Sequence, residues 1–295
     1  MALTAGVVGL GNIGGGVARN LAGAGHRVIG YDIDAERIAA VGVEAGADAA
    51  DVATRTDIIV LAVATLTAWR ATLAAISASG RRGLIVADLC TFPIEEKQGA
   101  HEELARAGIE LLDCPVSGAR PQAEAGALAM LVSGNADGFA RARPALESFC
   151  ASVIHVGDFG ESARIKYILN LMISIHNMAA AEAFLLARKA GVDLQTMADA
   201  VKASAAASKV FEIRADKWVS GDYDDPTAEL AIQLKDKDVI REFAASHDCP
   251  TPMFDAAMPY YIAAGSQGWK EKDAASILAV LEAMAGIPRT SPGGG

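Results

Sequence analysis

Up to Gly160 the apolar residues come in short solid runs separated by helical periods, whereas beyond Gly191 every patterned segment is helical. Between them lies Glu161–Ala190, thirty residues without glycine or proline, rich in leucine, isoleucine, methionine and alanine. The pattern predicts one long helix. Apolar residues occur nearly all round it, which predicts burial on most faces. Lys166, Asn170, Ser174 and Asn177 interrupt them at spacings of four, four and three. At ~100° per residue these four fall within an arc of about 80°. A narrow polar stripe headed by a lysine predicts a cleft, set where two domains meet, as small-molecule sites often are. The plainer alternative is that Lys166, near the helix start, simply snorkels to water.

The short runs read as strands at 5–8, 27–31, 58–63, 84–89 and 110–112, with 128–133 and 153–155 completing the sheet. The run at 58–63 is apolar throughout, as a parallel sheet covered on both faces requires, and Asp88 alone interrupts 84–89. Helical patterns occupy 68–78, 94–107 and 137–149, and after Gly191 they recur at 194–203, 209–219, 227–246, 253–264 and 274–285.

The first strand runs straight into Gly9-Leu10-Gly11-Asn12-Ile13-Gly14 and then a helical pattern. Strand, glycine turn and helix stand in the order a dinucleotide site needs. The first glycine allows the tight turn, the second lets a pyrophosphate approach the backbone, and the third lets helix pack on strand. The second strand ends at Tyr31-Asp32, eighteen residues after Gly14, close to the ~20 expected of a carboxylate that binds the adenosine ribose. Such a carboxylate repels a 2′-phosphate, Asp34 adds a second negative charge, and Arg37 is the nearby cation, so NAD is expected over NADP. As an alternative, Asp32 caps a helix beginning at Ala35. The fold class is therefore α/β: a doubly wound Rossmann sheet in residues 1–162, and an all-helical domain, entered through the long helix, in 163–295.

Thr91 and Ser117-Gly118 occupy C-terminal strand ends, where such sheets bind ligands, although Ser, Gly and Pro also supply ordinary turns. The charged run Gln233 to Asp238 reads most simply as a solvated helix face.

With 52% hydrophobic and 21% charged residues the chain is an ordinary globular protein of two-domain length. A net charge of −10 argues against nucleic acid or an anionic membrane as partner. No charged-then-apolar leader opens it, and the one membrane-length stretch, 165–187, carries Lys166, Asn170, His176, Asn177 and Glu182. Cys90, Cys114, Cys150 and Cys249 form no Cys-x-x-Cys pair, so neither metal nor disulfide framing is expected, and a reducing cytoplasm is the default.

Four blocks in one order resemble the β-hydroxyacid dehydrogenase family: Gly9 to Gly14 with Asn20-Leu21; Asp113-Cys114-Pro115-Val116-Ser117-Gly118; Lys166-x-x-x-Asn170; and Lys235-Asp236. The resemblance implies hydride transfer between a nicotinamide cofactor and a small 3-hydroxy acid or its semialdehyde, in a homodimer or homotetramer. It implies that Lys166 is the general acid/base, that Asn170 orients substrate and lysine, and that Ser117 and Gly118 hold the substrate carboxylate. Val63, Ala64 and Thr91 would line the nicotinamide, and Lys235 would reach the cofactor, with Lys237-Asp238 as an alternative register. The chemistry agrees, because alcohol oxidation needs a group to take the hydroxyl proton. A lysine does this once burial or a neighbouring positive charge brings its pKa towards neutrality. Leu169, Ala119-Arg120, Cys90 and Ala64 depart from the family pattern, and the first two bear on which substrate is taken. Arg120 either meets a second anionic group or is a surface arginine. The alternatives are an imine reductase of the same architecture, against which Lys166 argues, and a dinucleotide-binding regulator without turnover.

Overall fold

The computed structural model describes residues 3–288. The chain divides into two compact units, Met1–Lys166 and Tyr167–Gly295. In the first, the elements are β1 (Thr4–Val8), α1 (Gly14–Gly23), β2 (Arg27–Tyr31), α2 (Ala35–Val41), β3 (Glu44–Ala45), α3 (Ala49–Arg55), β4 (Ile58–Leu61), α4 (Leu66–Ala78), β5 (Ile85–Asp88), α5 (Ile94–Arg106), β6 (Glu110–Asp113), β7 (Val116–Ser117), α6 (Arg120–Glu124), β8 (Leu128–Val132), α7 (Ala136–Leu146) and β9 (Cys150–His155). Six strands pair in parallel in the order β3-β2-β1-β4-β5-β6, the doubly wound arrangement.

Period-two alternation explains why these strands are apolar without a break. Ala5, Val7, Ile58, Val60, Ile85 and Ala87 enter one core, while Val8, Ile59, Leu61, Val86 and Leu111 enter another. The expectation of a single sheet needs correction. β7, β8 and β9 form a separate three-stranded sheet, with β7 antiparallel to β8. Pro115, with no N–H to give a ladder, separates β6 from β7. Helices α2 and α3 are too short to show a period in the sequence, but each has an aspartate cap. Asp34 accepts from Glu36 N–H and Asp48 from Asp51 N–H.

Helix α8 (Glu161–Ala190) starts in the first unit and runs on into the second, followed by α9 (Leu194–Lys202), α10 (Lys209–Ser220), α11 (Leu230–Ala245), α12 (Pro252–Ser266), a 3₁₀ turn (Ala274–Ser276) and α13 (Ile277–Met284). Burial of α8 is narrower than its composition suggests. Tyr167, Ala181 and Phe184 are buried, but Ile168 is 54% and Leu186 70% exposed. An apolar residue stays exposed where no other element of the single chain covers it. By length and composition alone α8 could cross a membrane. Its Asn170, Ser174 and Asn177 instead make hydrogen bonds to protein groups, as in the core helix of a globular unit.

Asp273 anchors the helical unit. Its carboxylate takes Arg214 Nε at 3.1 Å, the Thr227 N–H at 2.7 Å and the Ala275 N–H at 2.8 Å. Burial opposes its charge, yet Arg214 and these donors outweigh burial and hold the carboxyl below its ordinary value of 3.8. A depressed folded pKa gives stability that is present above the unfolded value and lost as pH falls through the folded one. Thermal unfolding at pH 5, 4 and 3 should therefore show the gap between wild type and Asp273→Asn closing only below about pH 4. A gap independent of pH would remove the charge from the explanation.

Candidate active site

The glycine loop closes on the ends of β1 and β2. Gly9 has φ +88°, and a Cβ there would lie 2.4 Å from the Ala62 carbonyl oxygen. A Cβ on Gly14 would lie 1.8 Å from Gly9 O, so α1 packs on the strand only because Gly14 lacks one. A Cβ added at Gly11 would come within 4 Å only of Arg37 Nη1, at 3.7 Å, which leaves room for a pyrophosphate against the backbone. Asn20 fastens the other end of α1, its Nδ2 donating to Gly16 O and Ala123 O at 2.8 Å.

Asp32 lies just past β2 and is buried. Its Oδ2 accepts from Leu10 N–H at 2.7 Å and its Oδ1 from Asp34 N–H at 3.0 Å. The helix cap is Asp34, so Asp32 is left to brace the glycine loop with its carboxylate. Arg37 lies 3.6 Å from Asp32 Oδ2 and 3.5 Å from Asp34 Oδ2, which commits the nearby cation to both acids.

Val63 and Ala64 follow β4 and Thr91 follows β5, whereas Ser117 ends the two-residue β7 of the smaller sheet and Gly118 follows it. In the first unit the C-terminal edge of the neighbouring strands β2, β1, β4 and β5 therefore carries Val63, Ala64 and Thr91 together with the Gly9–Gly14 loop and Asp32. Cys90 sends its thiol towards Val63 O at 3.4 Å, and burial beside Asp88 pushes that thiol well up. It thus remains a neutral donor tying two loops of this edge together. Ser117 and Gly118 are exposed, Ala119 N–H donates to Gln122 Oε1, and Arg120 pairs with Glu124 at 2.9 Å.

Beneath this edge lies a cluster that the sequence did not announce. Lys97 Nζ is 3.1 Å from Asp88 Oδ2, 2.5 Å from Asp113 Oδ1 and 2.7 Å from Cys90 O. All three charged side chains are 0% exposed. The available signals are Asp88, a carboxylate in an otherwise apolar strand, and Asp113, which heads the Asp113–Gly118 block.

Lys166 closes the first unit and is half-buried. In the second unit the polar stripe of α8 divides. Ser174 Oγ donates to Asn170 O, while Asn177 Nδ2 donates to Tyr261 Oη and Ala274 O. Those two residues are buried structure rather than cleft, a correction to the uniform reading of the stripe. Asn170 differs from them, since its Nδ2 donates to Asp236 Oδ2 at 2.7 Å. Asp236 also pairs with Lys235 at 3.2 Å, whereas Lys237 pairs with the exposed Asp238. The charged run is thus not a solvated face throughout, for Gln233 and Asp236 are buried. Lys235, Lys237 and Lys270 line a cavity of about 420 Å³.

Residues 4–157 match the model for the NAD binding domain of 6-phosphogluconate dehydrogenase. Residues 160–281 match that for the NAD-binding region of NADP-dependent 3-hydroxyisobutyrate dehydrogenase. The chain belongs to the β-hydroxyacid dehydrogenase family. It is 30% identical over 287 residues to the L-threonate dehydrogenase of Pectobacterium atrosepticum, covering 94% of each chain. The crystal structure of a 3-hydroxyisobutyrate dehydrogenase from Salmonella typhimurium superposes with a TM-score of 0.86 at 30% identity, over 94% of this chain and 99% of that one. An imine reductase from Pseudomonas sp. shares the fold at 19% identity and a TM-score of 0.62, over 95% of this chain and 100% of that one.

As expected of this family, the residues present fit a nicotinamide dinucleotide. Gly11 leaves open space at the N-terminus of α1, and each Asp32 oxygen keeps a lone pair beyond its backbone bond. The sequence pattern does not show Asp236 as the partner of Asn170, although Asp236 adjoins Lys235.

Proposed function

We propose that this dehydrogenase oxidises a small 3-hydroxy acid, or reduces its semialdehyde, with Lys166 as the proton-transfer group and NAD preferred over NADP. One observation carries the reading. Lys166 stands half-buried one turn past the start of α8, and groups from the ends of β6 and β8 hold that start. In this reading the glycine loop takes the pyrophosphate, Asp32 the adenosine ribose, and Val63, Ala64 and Thr91 the nicotinamide side. Lys235 is a further cofactor contact, favoured over Lys237 because its partner Asp236 also binds Asn170.

The bound nicotinamide would supply the two-electron acceptor. The protein's part is to hold the substrate carboxylate at Ser117 and Gly118, to orient the hydroxyl through Asn170, and to receive its proton at Lys166 Nζ. L-Threonate and 3-hydroxyisobutyrate both offer a carboxylate with a nearby hydroxyl, so both belong in the first substrate panel. Nicotinamide absorbance is followed with NAD and with NADP, imines serving as the contrasting class. Turnover confined to imines, or absent from every hydroxy acid, would sink the proposal.

The NAD preference rests on the Asp32 charge. Asp32→Asn keeps an acceptor for Leu10 N–H while removing that charge. The ratio of kcat/KM for NAD over NADP should fall at least about tenfold, corresponding to ~1.4 kcal/mol of relieved repulsion. A wild type that already prefers NADP would refute the preference. The same reading makes the protein a cytoplasmic homodimer or homotetramer, consistent with the exposed Ile168, Met172 and Leu186 on α8. A monomer mass by light scattering would count against that assembly.

A further inference from the structure

Helix α8 begins without a cap of its own. Gly160 precedes its first residue and has no side chain to accept the leading N–H groups. Remote side chains do so instead. Ser133 Oγ accepts the N–H of Gly160 at 3.0 Å and of Ser162 at 3.2 Å, and Asp113 Oδ2 accepts the Ala163 N–H at 2.8 Å. The Ser162 hydroxyl lies 2.7 Å from both Asp113 Oδ2 and Ser133 Oγ and 2.8 Å from the Asp113 carbonyl oxygen, which already accepts the Ser133 N–H. Its single proton goes to the carboxylate and the Ser133 proton goes to Ser162, which satisfies all three groups. A carboxylate at a helix N-terminus is also stabilised by the helix dipole.

The other Asp113 oxygen faces Lys97 Nζ at 2.5 Å, as an ion pair rather than a well-angled hydrogen bond. Lys97 also grips Asp88, whose Oδ2 accepts Trp69 Nε1–H at 3.0 Å and whose Oδ1 accepts Cys90 N–H at 3.0 Å. One ammonium thus joins the loop carrying Thr91, the end of β6 that leads to Ser117, and the first turn of α8. Burying two carboxylates and a lysine brings little net stability over an apolar core of the same shape. What the network does supply is a fixed geometry. None of its members has a part in the proton transfer.

We propose that Lys97, Asp113, Ser133 and Ser162 are positioning residues that fix the start of α8 and thereby the placement of Lys166. The inference rests on the reading of Lys166 as the proton-transfer group. Lys166 is three residues past Ala163, ~4.5 Å along the helix axis, so a shift of the first turn carries it along. A displacement of ~1 Å at a reacting group can cost about 10²-fold in rate.

Ser162→Ala is the mild test, because it removes one hydroxyl and no charge, and Asp113→Asn is the stronger one. In Ser162→Ala kcat should fall roughly 10- to 100-fold, with KM and the cofactor Kd, measured by nicotinamide fluorescence, unchanged. In a Lys166→Ala background the same substitution should cost nothing further. Equal losses in both backgrounds, no loss at all, or a loss confined to cofactor binding would each overturn the proposal. A second readout does not need turnover. After reductive ¹³C-methylation, the Lys166 resonance, identified by its absence from Lys166→Ala, should shift and broaden in Ser162→Ala. If it stays put, the positioning role is wrong whatever the kinetics show. If instead Lys166→Ala retains full kcat, it is the reading of Lys166 that fails.

Discussion

Lys166→Ala is expected to lower kcat by roughly 10²–10⁴-fold, the span usual for a general acid or base. The loss should fall on kcat, with the KM of the hydroxy acid much less affected, because the carboxylate contacts at Ser117 and Gly118 remain. The cofactor should bind unchanged, since the glycine loop and Asp32 belong to other elements. Lys166→Arg should not rescue the rate. Its guanidinium stays protonated at any working pH and cannot accept the hydroxyl proton. Steady-state rates by nicotinamide absorbance, with cofactor titrations on the same preparations, decide this. Retained kcat in Lys166→Ala would move the proton-transfer role to another group.

Lys97→Met should destabilise the nucleotide-binding unit by about 3–5 kcal/mol, the usual cost of stripping one partner from a buried ion pair. The side chains of Asp88 and Asp113 are 0% exposed and would lose their shared cation. The remaining donors, Trp69 Nε1–H, Cys90 N–H, Ser162 O–H and Ala163 N–H, cannot replace a full positive charge. Denaturant unfolding gives the value directly, and the double variant Lys97→Met/Asp113→Asn should recover part of it. A loss below about 1 kcal/mol for the single variant would resemble a solvated surface pair and contradict the buried geometry.

The glycine loop, the strand ends and the long helix were legible because each is a local pattern. The glycines follow one strand and open one helix, and Glu161–Ala190 runs thirty residues of helix-forming composition without glycine or proline. The short elements were not legible. α3 and α6 are too brief for a period, β7 is two residues long, and α2 shows only as a helix start at Ala35. Its spacing makes the polar stripe one surface, but Tyr261 and Ala274 claim Asn177, and Asp236 claims Asn170. Nothing in the stripe's own spacing distinguishes those ends. Arg120 showed the limit from the other side, since either an anion contact or a surface position suited its neighbours in sequence, and the structure pairs it with Glu124.

By itself the sequence determined the longer strands and helices, the dinucleotide loop, and the family to which the chain belongs. All of these depend on residues close together along the chain, or on their order. Only the tertiary structure decided that β7, β8 and β9 leave the main sheet, that Asp34 rather than Asp32 caps α2, and that Asp113 and Ser133 cap α8. The last of these joins residues 27 to 50 positions apart, and the Asn170–Asp236 bond spans 66. A buried carboxylate must find donors, and an uncapped helix start must find acceptors, but neither need names its partner. The fold makes that choice by bringing the end of β6, the end of β8 and the start of α8 to one buried point.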